Sequence, residues 1–254
     1  MLGKTTKTRT FTAILTTLLI LSCIPEQVLA QKASREGLPG RRVGGGTRGE
    51  CPIEAKRLTA LVPENNLGLT VADYPTFFFY VPESPMPTTV EFVLLDDSDR
   101  QVYETSFMTA GTGGVSNLSL PANAGLPPLK IGKNYHWYFS VVCNPVNRAE
   151  DIFVEGWVQR VELDPILAIK LDKASMQERV NLYATAGLWH EAITTLTNLR
   201  RDRPNDPTII ANWIQLLQSV ELDTIAQEPL FNYQTAKQPL VKPLSSYRSS
   251  LQQQ

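Results

Sequence analysis

Histidine and cysteine are scarce in this chain, which limits the chemistry it can support. Only two residues are histidine, His136 and His190, and only three are cysteine, Cys23, Cys51 and Cys143. The histidines stand more than fifty residues apart, and neither has a histidine or cysteine close to it in the sequence. Zinc and related metals are held by clusters of such ligands at short spacing. The sequence therefore predicts no metal site and no cofactor.

The chain also lacks an excess of positive or of negative charge. The chain has 24 lysines and arginines against 25 aspartates and glutamates, which gives a net charge of -1. Proteins that bind nucleic acid carry basic patches that neutralise the phosphates. We therefore expect no nucleic-acid partner.

No arrangement typical of an enzyme is found in the sequence. Residues 44–49 match the letters of G-x-G-x-x-G, but that fingerprint binds a pyrophosphate only between a strand and a helix, and Cys51-Pro52 follows it here. His136 and Glu155 are placed to form a polar pair across a hairpin, without a nucleophile motif beside them. A structural hydrogen bond is the simpler interpretation, and we expect a non-enzymatic protein.

The beginning of the chain has the pattern of a secretory signal. A basic start precedes the apolar run of residues 11–24, and Val28-Leu29-Ala30 supplies a small-residue cleavage site. The apolar run is shorter than the ~20 residues that span a bilayer. The sequence predicts a signal peptide over residues 1–30, no transmembrane span in the mature chain, and export to the periplasm, the outer envelope or the medium.

Two other interpretations of this leader remain open. In the first, the leader is an uncleaved anchor. In the second, Ile20-Leu21-Ser22-Cys23, which resembles the lipobox of bacterial lipoproteins, leads to anchoring of the chain by a lipid at Cys23. Mass spectrometry of the mature N-terminus separates the three, because cleavage after Ala30 leaves Gln31 as the first residue.

Removal of the leader leaves two cysteines, Cys51 and Cys143. Exported proteins fold in oxidising compartments, where an even number of cysteines favours pairing. We expect one disulfide between Cys51 and Cys143, with two separate buried thiols as the alternative.

Alternating apolar residues indicate about seven strands between residues 51 and 163. The strands are expected over residues 57–62, 67–81 with an interruption at Tyr74-Pro75, 90–95, 101–107, 115–120, 129–143 and 152–163. Strands followed by helices predict an α+β chain. We expect an immunoglobulin-like antiparallel β-sandwich followed by a small helical hairpin segment.

The central strand of this sandwich is expected at residues 135–143. Its odd positions, Tyr135 to Cys143, are apolar or cysteine and should face the core, since strand side chains alternate. Antibody-type domains carry a corner tyrosine two residues before the cysteine of this strand. Val141 stands at that position here, which argues against the antibody pattern.

The opposite face of the same hairpin carries aromatic residues. His136 and Tyr138 lie on it in the central strand, and Phe153 and Trp157 lie on it in the partner strand. Exposed apolar surface that is contiguous usually marks a contact. We interpret these four residues as a partner-binding face. The alternative is that the helices that follow cover them.

The segments around the sandwich differ from it in composition. Residues 31–50 are basic and glycine-rich, which predicts a flexible linker. Residues 164–226 show helical spacing and predict three to four helices. Residues 227–254 are rich in proline, serine and glutamine, which predicts a disordered tail.

The helical segment has recognisable start signals. Asp164 and Asp206 precede prolines, and Ser175 with Glu178 forms the pattern of a capping box. Residues 187–193 with Pro204 resemble one tetratricopeptide repeat. A single repeat cannot build a solenoid. We expect a helical hairpin that packs on the sandwich or offers a docking surface.

Several short motifs occur together in the mature region. They are the basic stretch Arg41 to Gly49, then Glu50-Cys51-Pro52, Leu58 to Pro63, Tyr74 to Phe77, Tyr135 to Phe139, Val154 to Trp157 and Glu191-Ala192. This set, over residues 40 to 223, resembles a cyanobacterial family known as domain of unknown function 928. The resemblance implies an exported, envelope-associated protein and brings no activity with it.

These features together predict an exported envelope protein that serves as an interaction or scaffold module, with another envelope protein as its partner. Aromatic sheet faces also stack on sugars. The alternative is therefore a carbohydrate- or polymer-binding module with a polysaccharide as ligand.

Overall fold

Eight β-strands and four α-helices make up the described part of the chain. The structure is a computed structural model that describes residues 38–45, 51, 56–123 and 125–231. The predicted signal peptide, the lipobox at Cys23, residues 31–37 and 46–50 of the predicted linker and residues 232–254 of the predicted tail lie outside the described residues. The strands are β1 (Thr59–Ala60), β2 (Leu67–Thr70), β3 (Thr76–Val81), β4 (Thr89–Leu95), β5 (Gln101–Met108), β6 (Gly114–Ser119), β7 (Asn134–Val141) and β8 (Ile152–Arg160).

The strands form two sheets that pack face to face. One sheet has the order β1-β3-β6 and the other the order β2-β8-β7-β4-β5. In the lettering of immunoglobulin domains, the first sheet holds strands A, B and E, and the second holds C, F and G with C′ beside C. The predicted α+β fold with a β-sandwich is confirmed.

The first half of the sandwich differs from the prediction in one respect. Residues 67–81 are not one interrupted strand, because β2 lies in the five-stranded sheet and β3 in the three-stranded sheet. Pro75 has no N–H to give to a ladder, and the chain crosses between the sheets just before β3. As a result β2 pairs in parallel with β8, from Leu67 opposite Trp157 onward, in a sandwich expected to be antiparallel throughout.

Aromatic side chains fill the space between the sheets. Trp137 of β7 is fully buried, and its ring lies 6.0 Å from Phe77 and 5.6 Å from Phe79 of β3. Phe79 stacks on Phe139 with centroids 4.0 Å apart. Strands B and F of antibody domains are joined by a disulfide across this gap. Here aromatic packing joins the same two strands.

Tyr135 is a corner tyrosine in β7, which was not predicted from the sequence. Its hydroxyl accepts a hydrogen bond of 3.1 Å from the backbone N–H of Lys130, shortly before the strand begins. This is the bond that defines a tyrosine corner. Counting back from Cys143 pointed to Val141, but the residue that takes the place of the antibody cysteine is Trp137, two positions after Tyr135.

The helices follow the sandwich as α1 (Pro165–Lys173), α2 (Met176–Thr185), α3 (Trp189–Asp202) and α4 (Pro207–Gln218). Asp164 and Asp206 accept hydrogen bonds from the first turns of α1 and α4, and Ser175 and Glu178 form the predicted capping box of α2. Within the described residues, no helix is long and apolar enough to cross a membrane.

Residues of α2, α3 and α4 form one apolar cluster with the outer face of the three-stranded sheet. Phe78 and Tyr80 of β3 point away from the sandwich core and join a second apolar cluster with Trp189, Ile193 and Trp213. The Trp189 ring N–H donates to the carbonyl of Leu61 at 2.8 Å. The described helices therefore do not cover the outer face of the five-stranded sheet, which carries the predicted partner-binding residues.

Residues 38–45, inside the predicted linker, join the two sheets along one side, and we call them the clasp. Arg41 exchanges two backbone hydrogen bonds with Glu155 of β8, and Val43 forms a bridge with Thr59 of β1. The Arg42 guanidinium donates to the carbonyl of Val220, after α4, at 2.6 Å. The clasp thus contacts both sheets and the helical segment.

A disulfide joins Cys51 to Cys143, as predicted, with the Cα atoms 4.9 Å apart. It ties the chain after the clasp to the end of β7. Residues 229–231, inside the predicted tail, pair with the edge of β6, where the N–H of Val115 donates to Pro229 and the N–H of Phe231 donates to Val115.

Candidate binding face of the five-stranded sheet

The four predicted contact residues lie together on the outer face of the five-stranded sheet. The register places His136 opposite Trp157 and Ser140 opposite Phe153, with Tyr138 between them on β7. All four candidate side chains are half-buried. They form one patch because alternate residues of neighbouring strands share a face.

His136 is at the centre of this patch. Its imidazole stacks on the Trp157 indole with centroids 4.2 Å apart and planes 4° from parallel. The ring of Tyr138 lies on another side at 4.4 Å, with its hydroxyl 3.2 Å from Nδ1. Nε2 lies 3.2 Å from Oε2 of Glu155, without the alignment of a hydrogen bond.

Burial determines the charge state of the patch. It lowers the pKa of His136 below its ordinary value of 6.5, and the nearby Glu155 carboxylate opposes this only in part. It also raises the pKa of Tyr138, with a further contribution from the same carboxylate. At neutral pH the imidazole is therefore mostly uncharged and the phenol keeps its proton. The patch presents ring faces and hydrogen-bonding groups around one acidic side chain.

Aliphatic side chains extend the patch to both sides. Leu67 and Leu69 of β2 flank Trp157, while Val93 and Leu95 of β4 pair with Tyr138 and His136. All four aliphatic residues are half-buried. None of these four residues was predicted from the sequence. For Val93 and Leu95 the signal was the run Val93-Leu94-Leu95, because a strand that buries only one face should not be apolar at consecutive positions.

The clasp covers one side of the patch. The Trp157 ring N–H donates to the carbonyl of Pro39 at 2.7 Å, and the Arg41 guanidinium carbon lies 4.8 Å from the centre of the Phe153 ring. Two of the four candidate residues are therefore engaged by the chain itself. His136 and Tyr138 have no such contact among the described residues of the clasp.

His190 lies elsewhere, buried where α3 meets the sheets. Its Nδ1 donates to the carbonyl of Thr76 at 2.9 Å, and its ring packs against Phe77. Burial lowers its pKa. Within the described residues, no group of three or more histidine, cysteine or acidic side chains is placed to hold a metal ion. His190 is a packing residue.

A concave surface lies between α1 and α2, away from this face, with a volume of about 780 Å³. Leu167 and Leu182 form part of its apolar lining, and Lys170 and Glu178 stand among its polar residues. Ile166 on its rim is 65% exposed. Its charges are mixed, so it favours no partner of one sign.

Comparison with known families gives one match. The family model described as Domain of Unknown Function (DUF928) matches residues 43–230, which include both sheets and all four helices. A search of the curated proteins finds no match.

Proposed function

We propose that this chain, which belongs to the Domain of Unknown Function (DUF928) family, is an exported, non-enzymatic binding protein of the cell envelope. In this proposal it holds another envelope protein against the outer face of its five-stranded sheet. The family itself assigns no activity, so the proposal rests on the geometry of that face.

The observation that carries the proposal is the continuous row of half-exposed rings and aliphatic side chains across β2, β8, β7 and β4. Interfaces are rich in aromatic residues, which bury a large apolar area with few rotatable bonds. Tyr138 is the best anchor. It lies near the middle of the row, and its hydroxyl keeps a polar end that a partner can meet.

The lack of a chemical centre in this face supports a binding role. His136 is enclosed by Trp157, Tyr138 and Glu155, and the raised pKa of Tyr138 makes its hydroxyl a poor nucleophile. The leader pattern of residues 1–30 and the Cys51–Cys143 disulfide support export, because disulfides persist in oxidising compartments.

Affinity capture with the mature protein from its native envelope tests this function. Tyr138→Ala should keep the fold and lose a captured partner, because it removes the central anchor of the face. Tyr183→Ala is the matched control, since Tyr183 is also a half-buried tyrosine but packs with the helices. Capture that survives Tyr138→Ala and Val93→Ser in folded protein contradicts the proposed face.

Carbohydrate binding is the second candidate, and a specific group of side chains favours it. Gln159 donates to the side chain of Asn134 at 2.9 Å on the same face, and Glu155 stands beside the rings of His136 and Trp157. Rings beside amides and carboxylates suit a sugar, whose faces are apolar and whose edges carry hydroxyls. A glycan array should then give a signal that Trp157→Ala removes, and an array without signal rules this candidate out.

A further inference from the structure

We propose that the clasp occupies, within its own chain, a strand-binding site on β8, and that an extended, arginine-bearing segment of the partner protein binds there in its place. The inference rests on the proposed function and adds to it the chemistry of the partner and a device that regulates access. It follows from the edge of β8, from the side chains around that edge and from the composition of the clasp.

The edge of β8 is shared between two segments. β2 pairs with its second half, from Trp157 to Arg160, and leaves the first half to the clasp. There the N–H of Arg41 donates to the carbonyl of Glu155 at 3.2 Å, and the N–H of Glu155 donates to the carbonyl of Arg41 at 2.9 Å. An edge that offers both groups accepts any extended backbone of the right direction.

The side chains at this edge define what the strand must carry. Pro39 is bound through its carbonyl oxygen, by the ring N–H of Trp157. Arg41 is bound through its guanidinium, over the face of Phe153. Backbone groups and one cation thus make the contacts, and a partner strand with an arginine at the same position reproduces all of them. Side chains such as Tyr138 then add contacts that the clasp does not use.

The clasp has the composition of a displaceable strand. Gly40, Gly44 and Gly45 lie within its eight residues, and ordering glycine costs more conformational entropy than ordering other residues. The side chain of Arg41 is exposed apart from its contact with Phe153. Segments held by few buried apolar contacts open at a lower free energy than the core. The clasp can therefore leave β8 while the sandwich stays folded.

The position of Gly44 offers a way to open the clasp. A Cβ at Gly44 would lie 2.7 Å from Cγ2 of Ile152 and 3.2 Å from Cβ of Leu58, so Gly44→Val forces the segment away from the sheets. Arg42→Ala opens it by a different route, through loss of the bond to Val220. Hydrogen exchange at the Glu155 amide reports opening, and the amides of β4 and β7 report whether the sandwich remains intact.

The experiment uses the mature chain and a fluorescent peptide with the sequence of residues 38–45. A tethered competitor acts at an effective concentration that reaches millimolar, so both open variants should bind the peptide at least about tenfold more tightly than the wild type. A peptide carrying Arg41→Glu should lose this binding, since it places a carboxylate over Phe153. Trp157→Leu in the Gly44→Val background should weaken binding of the unmodified peptide, because the bond to Pro39 is lost.

Several outcomes overturn the inference. One is a Glu155 amide that stays protected in both variants, which shows that the clasp does not leave the sheet. Another is an open clasp with no gain in peptide binding, and a third is equal binding of the Arg41→Glu peptide. If the affinity capture above still depends on Tyr138 in any of these cases, the proposed function stands and only the role of the clasp fails.

Discussion

Packing around Trp137 joins the two sheets at the place where antibody domains have a disulfide. Its ring lies between Phe77 and Phe79, so strands β3 and β7 are joined across the core by packing. Gly156, directly opposite on β8, makes room for the indole, because a Cβ there would collide with it. The disulfide of this chain lies at another position, between Cys51, which follows the clasp, and Cys143.

Trp137→Ala should lower the free energy of unfolding by about 3–5 kcal/mol, the cost of emptying the site of a large buried aromatic residue. Urea unfolding followed by circular dichroism measures this. Trp157→Ala is the control, since Trp157 is half-buried on the outer face and its loss should cost clearly less. Equal costs would show that the sandwich core does not depend on Trp137.

His190 should make the protein less stable in acid. Burial lowers its pKa in the folded state, so below 6.5 the unfolded chain binds a proton that the folded chain does not. The stability that His190 contributes is therefore complete above pH 6.5 and is lost as the pH falls below it, with a slope of at most about 1.4 kcal/mol per pH unit. The free energy of unfolding measured between pH 7 and pH 5 should fall.

A variant separates this effect from that of other groups. His190→Asn removes the titration and keeps a donor near the carbonyl of Thr76, so the slope between pH 7 and pH 5 should become shallower. Burial also lowers the pKa of His136, and His136→Asn measures how much of the slope comes from that residue. An unchanged slope in His190→Asn contradicts the prediction.

The carboxylate of Glu191 is one of the groups that attach helix α3 to the sheets. Oε1 of Glu191 accepts hydrogen bonds from the Thr70 hydroxyl at 2.6 Å, from the N–H of Val71 at 2.9 Å and from the N–H of Ala72 at 3.2 Å. These donors end β2 and begin the crossing to β3. Glu191 therefore links the helical segment to the point where the chain changes sheets.

Glu191→Ala should cost about 2–3 kcal/mol, because it leaves donors that a charged acceptor had satisfied. Glu191→Gln keeps an oxygen for the same donors and should cost less. Glu178→Ala, in the exposed capping box of α2, is the matched control and should cost less than Glu191→Ala, because its bonds are exposed to water. Chemical unfolding of the three variants gives the order, and a Glu191→Ala cost no larger than that of Glu178→Ala rules out the attachment.

Local signals in the sequence predicted the helices and strands better than they predicted which of these elements pair with each other. The caps at Asp164, Ser175 and Asp206 depend on neighbouring residues only, and their helices begin where expected. The assignment of β2 and β3 to different sheets depends on bonds to β8 and β6, which no local pattern shows. The clasp was missed for the same reason. Its glycines fit flexibility and close approach equally well, and only the proximity of Gly44 to Ile152 decides between them.

The outer face was predicted in part for a similar reason. Alternation along β7 and β8 placed His136, Tyr138, Phe153 and Trp157 on one side, which the register confirms. What covers that side is a matter of tertiary packing. The choice between the helices and the clasp depended on contacts far apart in the sequence, such as Arg41 with Glu155.

The disulfide should stabilise the whole molecule through the unfolded chain. Cys51 and Cys143 are separated by 92 residues, and closing a loop of that size restricts the unfolded state by about 4–5 kcal/mol in the entropy model. Reduction, or Cys51→Ser with Cys143→Ser, should therefore lower the free energy of unfolding by about 2–4 kcal/mol. Urea unfolding with and without a dithiol measures this, and a midpoint that does not move contradicts it.

The parallel pairing of β2 with β8 delays folding during synthesis. The five-stranded sheet has an early strand beside its last one, so it cannot be completed until nearly all of the sandwich has been made. Ribosomes add about 5–20 residues per second, which leaves β2 without its neighbour for on the order of ten seconds. The second apolar cluster forms still later, because it joins Phe78 and Tyr80 to residues of α3 and α4. For a chain that is exported as proposed, this order of assembly delays completion of the fold until the last strand and the helices have been made.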